Sequence, residues 1–194
     1  MPAPTPLPAR GLTVIELMIV VALLGVLVAL VAPSMRGMMT AQRVRGVNAE
    51  LVTDLQYARS EAARRNQDVG VAFQSTGSMS CYVAFVDVAP TAPACDCTLT
   101  PGSVCSGGRQ EIKTVQLPLS DGVVLSVTST DGPVVNFSRS SGALLPTAPG
   151  GAIPPGFEVD VTGTPRGKLR TRVGMSGRPS VCSPDASVSG VPSC

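Results

Sequence analysis

An apolar run near the start of the chain limits what it can become more than any other feature. From Leu12 to Met35 the sequence reads LTVIELMIVVALLGVLVALVAPSM, and Glu16 is its only charged residue. A helix rises about 1.5 Å per residue, so the run is long enough to cross a hydrocarbon core of about 30 Å. The preceding segment carries Pro2, Pro4, Pro6 and Pro8, which forbid a helix, and residues 1–11 read as a leader. A secretory signal would place its charge before the apolar run and a small-residue cleavage site after it; here Arg10 and the small Gly11 both precede it. A carboxylate in a bilayer segment is expensive unless paired, so Glu16 asks for a partner. Cleavage after Gly11 would supply one, because the new α-amine on Leu12 stands one helical turn from Glu16, in the same or a neighbouring chain.

The helical period continues past the run. Val44, Val47, Leu51, Leu55, Ala58 and Ala62 recur at steps of three or four, while Glu50, Asp54, Arg59, Glu61 and Arg64 lie off that stripe. The spacing predicts an amphipathic helix over 36–66 that continues the apolar one over 12–35. Arg36, Arg43 and Arg45 form a basic flank at the join, readable as a solvated helix face or as a contact with phospholipid. After Asn66 the period becomes two. Short β-branched runs at Val69–Gln74, Cys81–Val88, Ile112–Leu117, Val123–Thr128, Val134–Ser138, Phe157–Thr162 and Lys168–Val173 are separated by Gly, Pro, Asp and Ser turns. The fold class that follows is α+β: one long N-terminal helix, half membrane-embedded and half amphipathic, packed on an antiparallel β-sheet domain over 67–194. Two inserts, Ala89–Gly108 and Leu145–Gly156, read as exposed loops.

Composition argues against an enzyme. The chain has no His, which removes the commonest general base and zinc ligand, and it has no GxSxG elbow. No catalytic residue, no metal site and no cofactor are expected. Trp is absent and aromatics make up 3%, so the core must be built from small aliphatic side chains. The six cysteines, Cys81, Cys95, Cys97, Cys105, Cys182 and Cys194, all follow the apolar run. Cys95 and Cys97 form a CxC without a CxxC partner, which favours disulfides in an oxidising compartment over a metal site. Six cysteines permit many pairings; proximity favours Cys182 with Cys194 and leaves the other four to staple the middle region.

Arg166, Lys168, Arg170 and Arg172 alternate with Gly167, Leu169 and Thr171, so in an extended strand the four cations share one face. Arg178 follows, and no acid intervenes before Asp185. Such a ridge could neutralise phosphates, with salt-sensitive and sequence-independent binding, or it could be a charged edge that discourages strand pairing. No aromatic residue interleaves it, so base stacking is not indicated.

Three segments carry a family resemblance. Gly11-Leu12-Thr13-Val14-Ile15-Glu16-Leu17 resembles the class III prepilin signal of type IV pilins and type II secretion pseudopilins. In that family a prepilin peptidase cuts after the Gly and methylates the new N-terminus, here Leu12 where Phe is usual. The acidic residue, here Glu16, guides docking into the filament. Pro33 falls where the family commonly has a helix-kinking proline, and Thr13 and Pro33 join Glu16 as expected assembly residues. Second, Leu55-Gln56-Tyr57-Ala58-Arg59-Ser60-Glu61-Ala62-Ala63-Arg64-Arg65-Asn66 resembles the helix end of GspH/FimT-type minor pilins and pseudopilins. Glu16 sets the chain apart from the tip pseudopilins that lack the acid. Third, Gly177-Arg178 resembles the C-terminal Gly-Arg segment of FimT-type minor pilins, some of which bind DNA through Gly-Arg-x-Arg; Ser180 stands here where the second Arg would be.

The resemblance implies a minor subunit that initiates or caps a type II secretion pseudopilus or type IV pilus. Its implied partners are the prepilin peptidase, other pilins, an inner-membrane assembly platform and membrane lipid. Its implied location is the inner membrane, single-pass, with the C-terminal domain periplasmic. The alternative is a DNA-uptake subunit that grips DNA through Arg166, Lys168, Arg170, Arg172 and Arg178. Gly11→Asp should leave an uncut precursor, seen as a slower-migrating band on gels; normal processing of that variant would refute the cleavage site.

Overall fold

The computed structural model describes residues 13–86, 95–129, 132–147, 151–164 and 166–194, and over 30–36 the backbone alone. The expected leader and the expected cleavage pair Gly11–Leu12 lie outside the described residues, as do parts of both inserts. Helix α1 spans Val14–Arg65 without a break, so the expected apolar and amphipathic halves form one element and its backbone remains helical through Pro33. Two compact units divide the chain, Met1–Met38 and Met39–Cys194.

In the first unit the helix starts at a side-chain cap. Thr13 Oγ1 accepts the Glu16 amide at 3.3 Å, and Leu17 N–H donates to the Thr13 carbonyl at 3.1 Å to open the helical ladder. Thr13-x-x-Glu16 is thus a capping-box pattern with the acid in the first turn, where the helix dipole favours negative charge. Every described side chain from Thr13 to Ala29 is exposed. Among the described residues no helix is long and apolar enough to cross a membrane. The expected span over 12–35 extends past them at Leu12 and past the described side chains at 30–36.

The second unit holds two antiparallel sheets. The first contains β1 (Val69–Ser75), β2 (Met79–Val86), β3 (Gln110–Pro118), β5 (Val134–Phe137) and β6 (Leu144–Leu145), in the order β3-β2-β1-β5-β6. The second contains β4 (Val123–Val127), β7 (Gly156–Gly163), β8 (Lys168–Gly174) and β9 (Pro179–Cys182), in the order β4-β7-β8-β9. The seven strands expected from alternation are all present. The short β6 and β9 are additional, because two and four residues are too few to show a period.

The α1 stripe is the floor on which both sheets close. Val44, Leu51, Leu55, Ala58 and Ala62 are fully buried in one cluster with Phe73 and Tyr82 of the first sheet and Phe157, Val159 and Val173 of the second. Phe73 stands 5.7 Å from Tyr82 and 5.5 Å from Phe157 between ring centroids, so one ring bridges the sheets.

Two residues expected off the stripe, Asp54 and Glu61, are buried. Polar partners make this tolerable. Asp54 accepts the Tyr82 hydroxyl at 2.7 Å and, with Glu50, receives Lys113 from β3. Burial, and next the Asp54 hydrogen bond, push the Tyr82 hydroxyl far above its ordinary range. Asn48, also buried, accepts the Thr171 hydroxyl of β8 at 2.8 Å. One helix is therefore tied by side-chain hydrogen bonds to each sheet.

A second, smaller core lies around Ala72, Val83 and Phe85, beneath the segment from Cys95 to Cys105. Disulfides Cys81–Cys97 and Cys95–Cys105 pin that segment, and Cys182–Cys194 closes the C-terminal loop. Gln74 holds the same loop through both ends of its amide, donating to the Cys95 carbonyl and accepting the Cys97 N–H. Loops of this length contribute about 3 kcal/mol each in chain-entropy terms, which matters in a unit so poor in aromatic residues.

Candidate functional site at the end of the long helix

The last turns of α1 carry an ion-pair cluster. Glu61 receives Arg64 through Nε and Nη2, both at 2.7 Å, and Arg65 Nε at 2.6 Å, while Arg65 also reaches Gln110 of β3 at 2.9 Å. These hydrogen bonds, Arg64 first and Arg65 next, hold the Glu61 carboxyl at about 2, well below its ordinary 4.5. Asn66 takes a left-handed φ of 51° and ends the helix. Its N–H bonds the Ala63 carbonyl and the Gln67 N–H bonds the Ala62 carbonyl, which is the Schellman arrangement. Asn is the non-glycine residue best suited to that conformation. The segment that carried the second resemblance is thus a helix stop with a neutralised acid.

Arg59, on the same helix face as Gln56 and Ala63, donates Nε to the Gly142 carbonyl at 3.0 Å. Gly142 closes the turn Ser138–Gly142, which Asp68 grips from its other side by accepting Arg139 through Nε at 3.1 Å, Nη2 at 2.8 Å and the backbone N–H at 2.9 Å. The Arg139 hydrogen bonds hold the Asp68 carboxyl below its usual range. Against this turn sits the β8–β9 turn. Gly177 has a left-handed φ of 73°, and a Cβ there would overlap the Gly142 carbonyl. Leu144 N–H donates to the Met175 carbonyl at 2.9 Å and fastens the same contact across the two sheets. The helix-end segment and the Gly177-Arg178 segment, more than a hundred residues apart, therefore meet at one turn. Neither the turn nor Asp68 was singled out from the sequence; the run Ser138-Arg139-Ser140-Ser141-Gly142 carried the signal as a turn composition.

The cation ridge expected on β8 is revised by its neighbour. Lys168, Arg170 and Arg172 do share one face, opposite the buried Leu169, Thr171 and Val173. Register sets Asp160 across from Arg170 and Glu158 across from Arg172. The result is a ladder: Lys168 to Asp160 at 2.9 Å, Arg170 to Asp160 at 2.6 Å and to Glu158 at 3.1 Å, and Arg172 to Glu158 at 2.6 Å. Burial alone would raise the Asp160 carboxyl, but hydrogen bonds from Arg170 and Lys168 outweigh it and hold the group low. Three of the five ridge cations are therefore spent within the sheet. Glu158 and Asp160 alternate in Phe157–Thr162 with the same period of two, and that was the readable signal.

Arg166 precedes β8 and is exposed, so it does not belong to the strand face. Arg178 is exposed, and its side chain has no partner among the described residues. Of the basic flank, Arg43 donates to the Asp121 carbonyl at 2.8 Å and Arg45 to the Ser189 carbonyl at 2.6 Å. Both bonds use backbone oxygens, and neither cation is ion-paired with an acid among the described residues. No group of three or more metal-ligating side chains occurs among the described residues.

A long helix whose second half floors a two-sheet antiparallel unit defines an α+β subunit with the pilin arrangement. The chain belongs to the family described as Type II transport protein GspH, matched over residues 48–177, which comprises minor pilins and pseudopilins of secretion and pilus systems. The chain is also similar to the crystal structure of the type IV minor pilin FimU of Pseudomonas aeruginosa, strain PAO1. That similarity has a TM-score of 0.47 and 14% identity, and covers 72% of this chain and 88% of that one. No curated protein matches the sequence.

Two expectations follow. Because the folded Glu61 carboxyl lies below its unfolded value, its stabilisation is complete above about pH 4.5 and is lost as pH falls toward 2. Thermal unfolding of the full chain in detergent should show a midpoint falling across that window, and Glu61→Gln should lower the neutral-pH midpoint and flatten the fall. A Glu61→Gln profile superimposed on the wild type would refute the assignment. Gly177→Ala should destabilise by about 1–3 kcal/mol, since it combines a left-handed φ with a backbone overlap; an unchanged urea midpoint would show that the two turns do not need the contact.

Proposed function

We propose that the chain is a membrane-anchored subunit that enters a secretion pseudopilus or a pilus and acts at its initiating or capping end. The observation that carries this reading is the exposure of every described side chain from Thr13 to Ala29, an almost wholly apolar surface joined to a folded unit. Such a surface requires lipid or other apolar helices. Residues 12–35 would rest in the inner membrane before assembly and among neighbouring helices afterwards, exchanging lipid contacts for helix packing. Cleavage at Gly11–Leu12 would free an amine to meet Glu16. Before that, Glu16 sits in the first turn of α1, capped by Thr13. The three disulfides support an oxidising, periplasmic setting for the Met39–Cys194 unit.

The alternative, DNA uptake through Arg166, Lys168, Arg170, Arg172 and Arg178, draws less support. Lys168, Arg170 and Arg172 are already ion-paired, and counterion release needs cations free to meet phosphate. Glu16→Ala should leave the chain in the membrane fraction and lower its recovery in sheared filaments several-fold. Wild-type recovery of that variant would count against assembly by an acid–amine contact.

A further inference from the structure

We propose that the depression between the outer face of α1 and the Ser138–Gly142 turn, flanked by the Gly177–Arg178 turn, docks an acidic segment of a partner protein. The occupant is a carboxylate side chain next to an apolar one. The depression measures roughly 260 Å³ and is lined by Gln56, Arg59, Ser60, Ser140, Ser141 and Gly142 among others, with no carboxylate in its wall.

Ser60 and Ser140 are engaged within the fold, by the Tyr57 carbonyl and the Ser138 hydroxyl, but Arg59 and Ser141 have donors to spare. Arg59 uses Nε on the Gly142 carbonyl, which fixes the guanidinium plane, and both Nη groups are without a partner among the described residues. Ser141 Oγ accepts the Ala143 amide, leaving its own hydrogen to donate. The Gln56 amide is likewise unengaged among the described residues. A carboxylate is acceptor-only and matches the planar fork of an arginine held in one orientation. Arg178 follows Gly177, which packs against Gly142 and Arg59, and it is an exposed cation with no acid partner among the described residues; Met175 in the same turn is 59% exposed.

A protein acid suits this place better than a nucleic acid. The space admits one or two side chains, no aromatic ring lines it for stacking, and each of the three cations on the strand leading into the turn is already ion-paired with Asp160 or Glu158. Among the described residues, Arg59 is the one cation lining the depression and Arg178 the one in the adjoining turn, too few for a phosphate track. The proposal names a partner chemistry for the filament-subunit reading and rests on it for the source of the segment. Peptide binding reads this end of the unit alone, whereas filament recovery of Glu16→Ala reads the assembly, so the two can fail separately.

The test uses the full chain in neutral detergent micelles and a fluorescein-labelled peptide, Gly-Glu-Leu-Glu-Glu-Gly, titrated by anisotropy at two salt concentrations. A matching peptide with Gln for Glu and a single-stranded oligonucleotide serve as comparisons. Expected are saturable binding of the acidic peptide that weakens with salt, no binding of the Gln peptide, and about tenfold weaker binding by Arg178→Gln. The unfolding midpoint of Arg178→Gln should be unchanged, because its side chain has no partner among the described residues. Ser141→Ala gives a second reading inside the depression, with several-fold weaker binding expected. Absence of acidic-peptide binding, equal binding of the Gln peptide, or wild-type affinity in Arg178→Gln would each overturn the proposal. Tighter, Arg178-dependent binding of the oligonucleotide would overturn it in favour of a nucleic-acid site.

Discussion

The buried stripe of α1, running from Val44 through Leu51, Leu55 and Ala58 to Ala62, is the surface on which both sheets of the Met39–Cys194 unit close. Neither sheet could bury its inner face alone: the first contributes Phe73 and Tyr82, the second Phe157 and Val159, and the helix supplies the wall they share. Each fully buried Leu or Val removes enough apolar surface from water to contribute about 1.5–3 kcal/mol, so Val44, Leu51 and Leu55 together outweigh any single polar contact in the unit. The polar contacts do something else. Asn48 to Thr171 and Asp54 to Tyr82 set the rotation of the helix against each sheet, since turning it would leave buried polar groups unpaired.

Charge is distributed by the same logic. A chain with fifteen cations and thirteen anions could scatter them over its surface, yet Lys113, Arg64, Arg65, Arg139, Lys168, Arg170 and Arg172 are all engaged with carboxylates. The engagements lie along the helix, within the second sheet, between the helix and β3, and between Asp68 and the Ser138–Gly142 turn. Cations bonded to backbone carbonyls instead stand near the two ends of the stripe, Arg43 and Arg45 at one and Arg59 at the other. Cations without an acid partner among the described residues thus lie near the ends of the buried stripe of α1 and, with Arg178, in the β8–β9 turn.

The disulfides complete the architecture where apolar residues run short. The outer face of the first sheet has Val83 and Phe85 but no helix to cover them, and the Cys95–Cys105 segment takes that place, held by two bridges. Apart from its cysteines that loop places one apolar side chain, Val104, in the small core while Leu99 stays exposed, so covalent links supplement a burial too small to hold it.

Much of this was legible in the sequence because it rests on period. The 3.6 repeat of the stripe predicted one helix and its buried face, alternation predicted seven strands, and the Gly11–Glu16 and Leu55–Asn66 segments pointed to the pilin-like family before any geometry was known. Period says which face a residue occupies and nothing about what lies across from it. Asp54 and Glu61 looked solvent-facing until Tyr82, Lys113, Arg64 and Arg65 were placed against them. The β8 cations looked like an open ridge until strand register brought Glu158 and Asp160 alongside. The meeting of Arg59, Gly142 and Gly177 required three distant segments to converge on one turn. Local pattern determines elements and their faces because backbone sterics and burial act over a few residues; charge compensation and the shape of a site depend on contacts between elements, which only the packed chain decides.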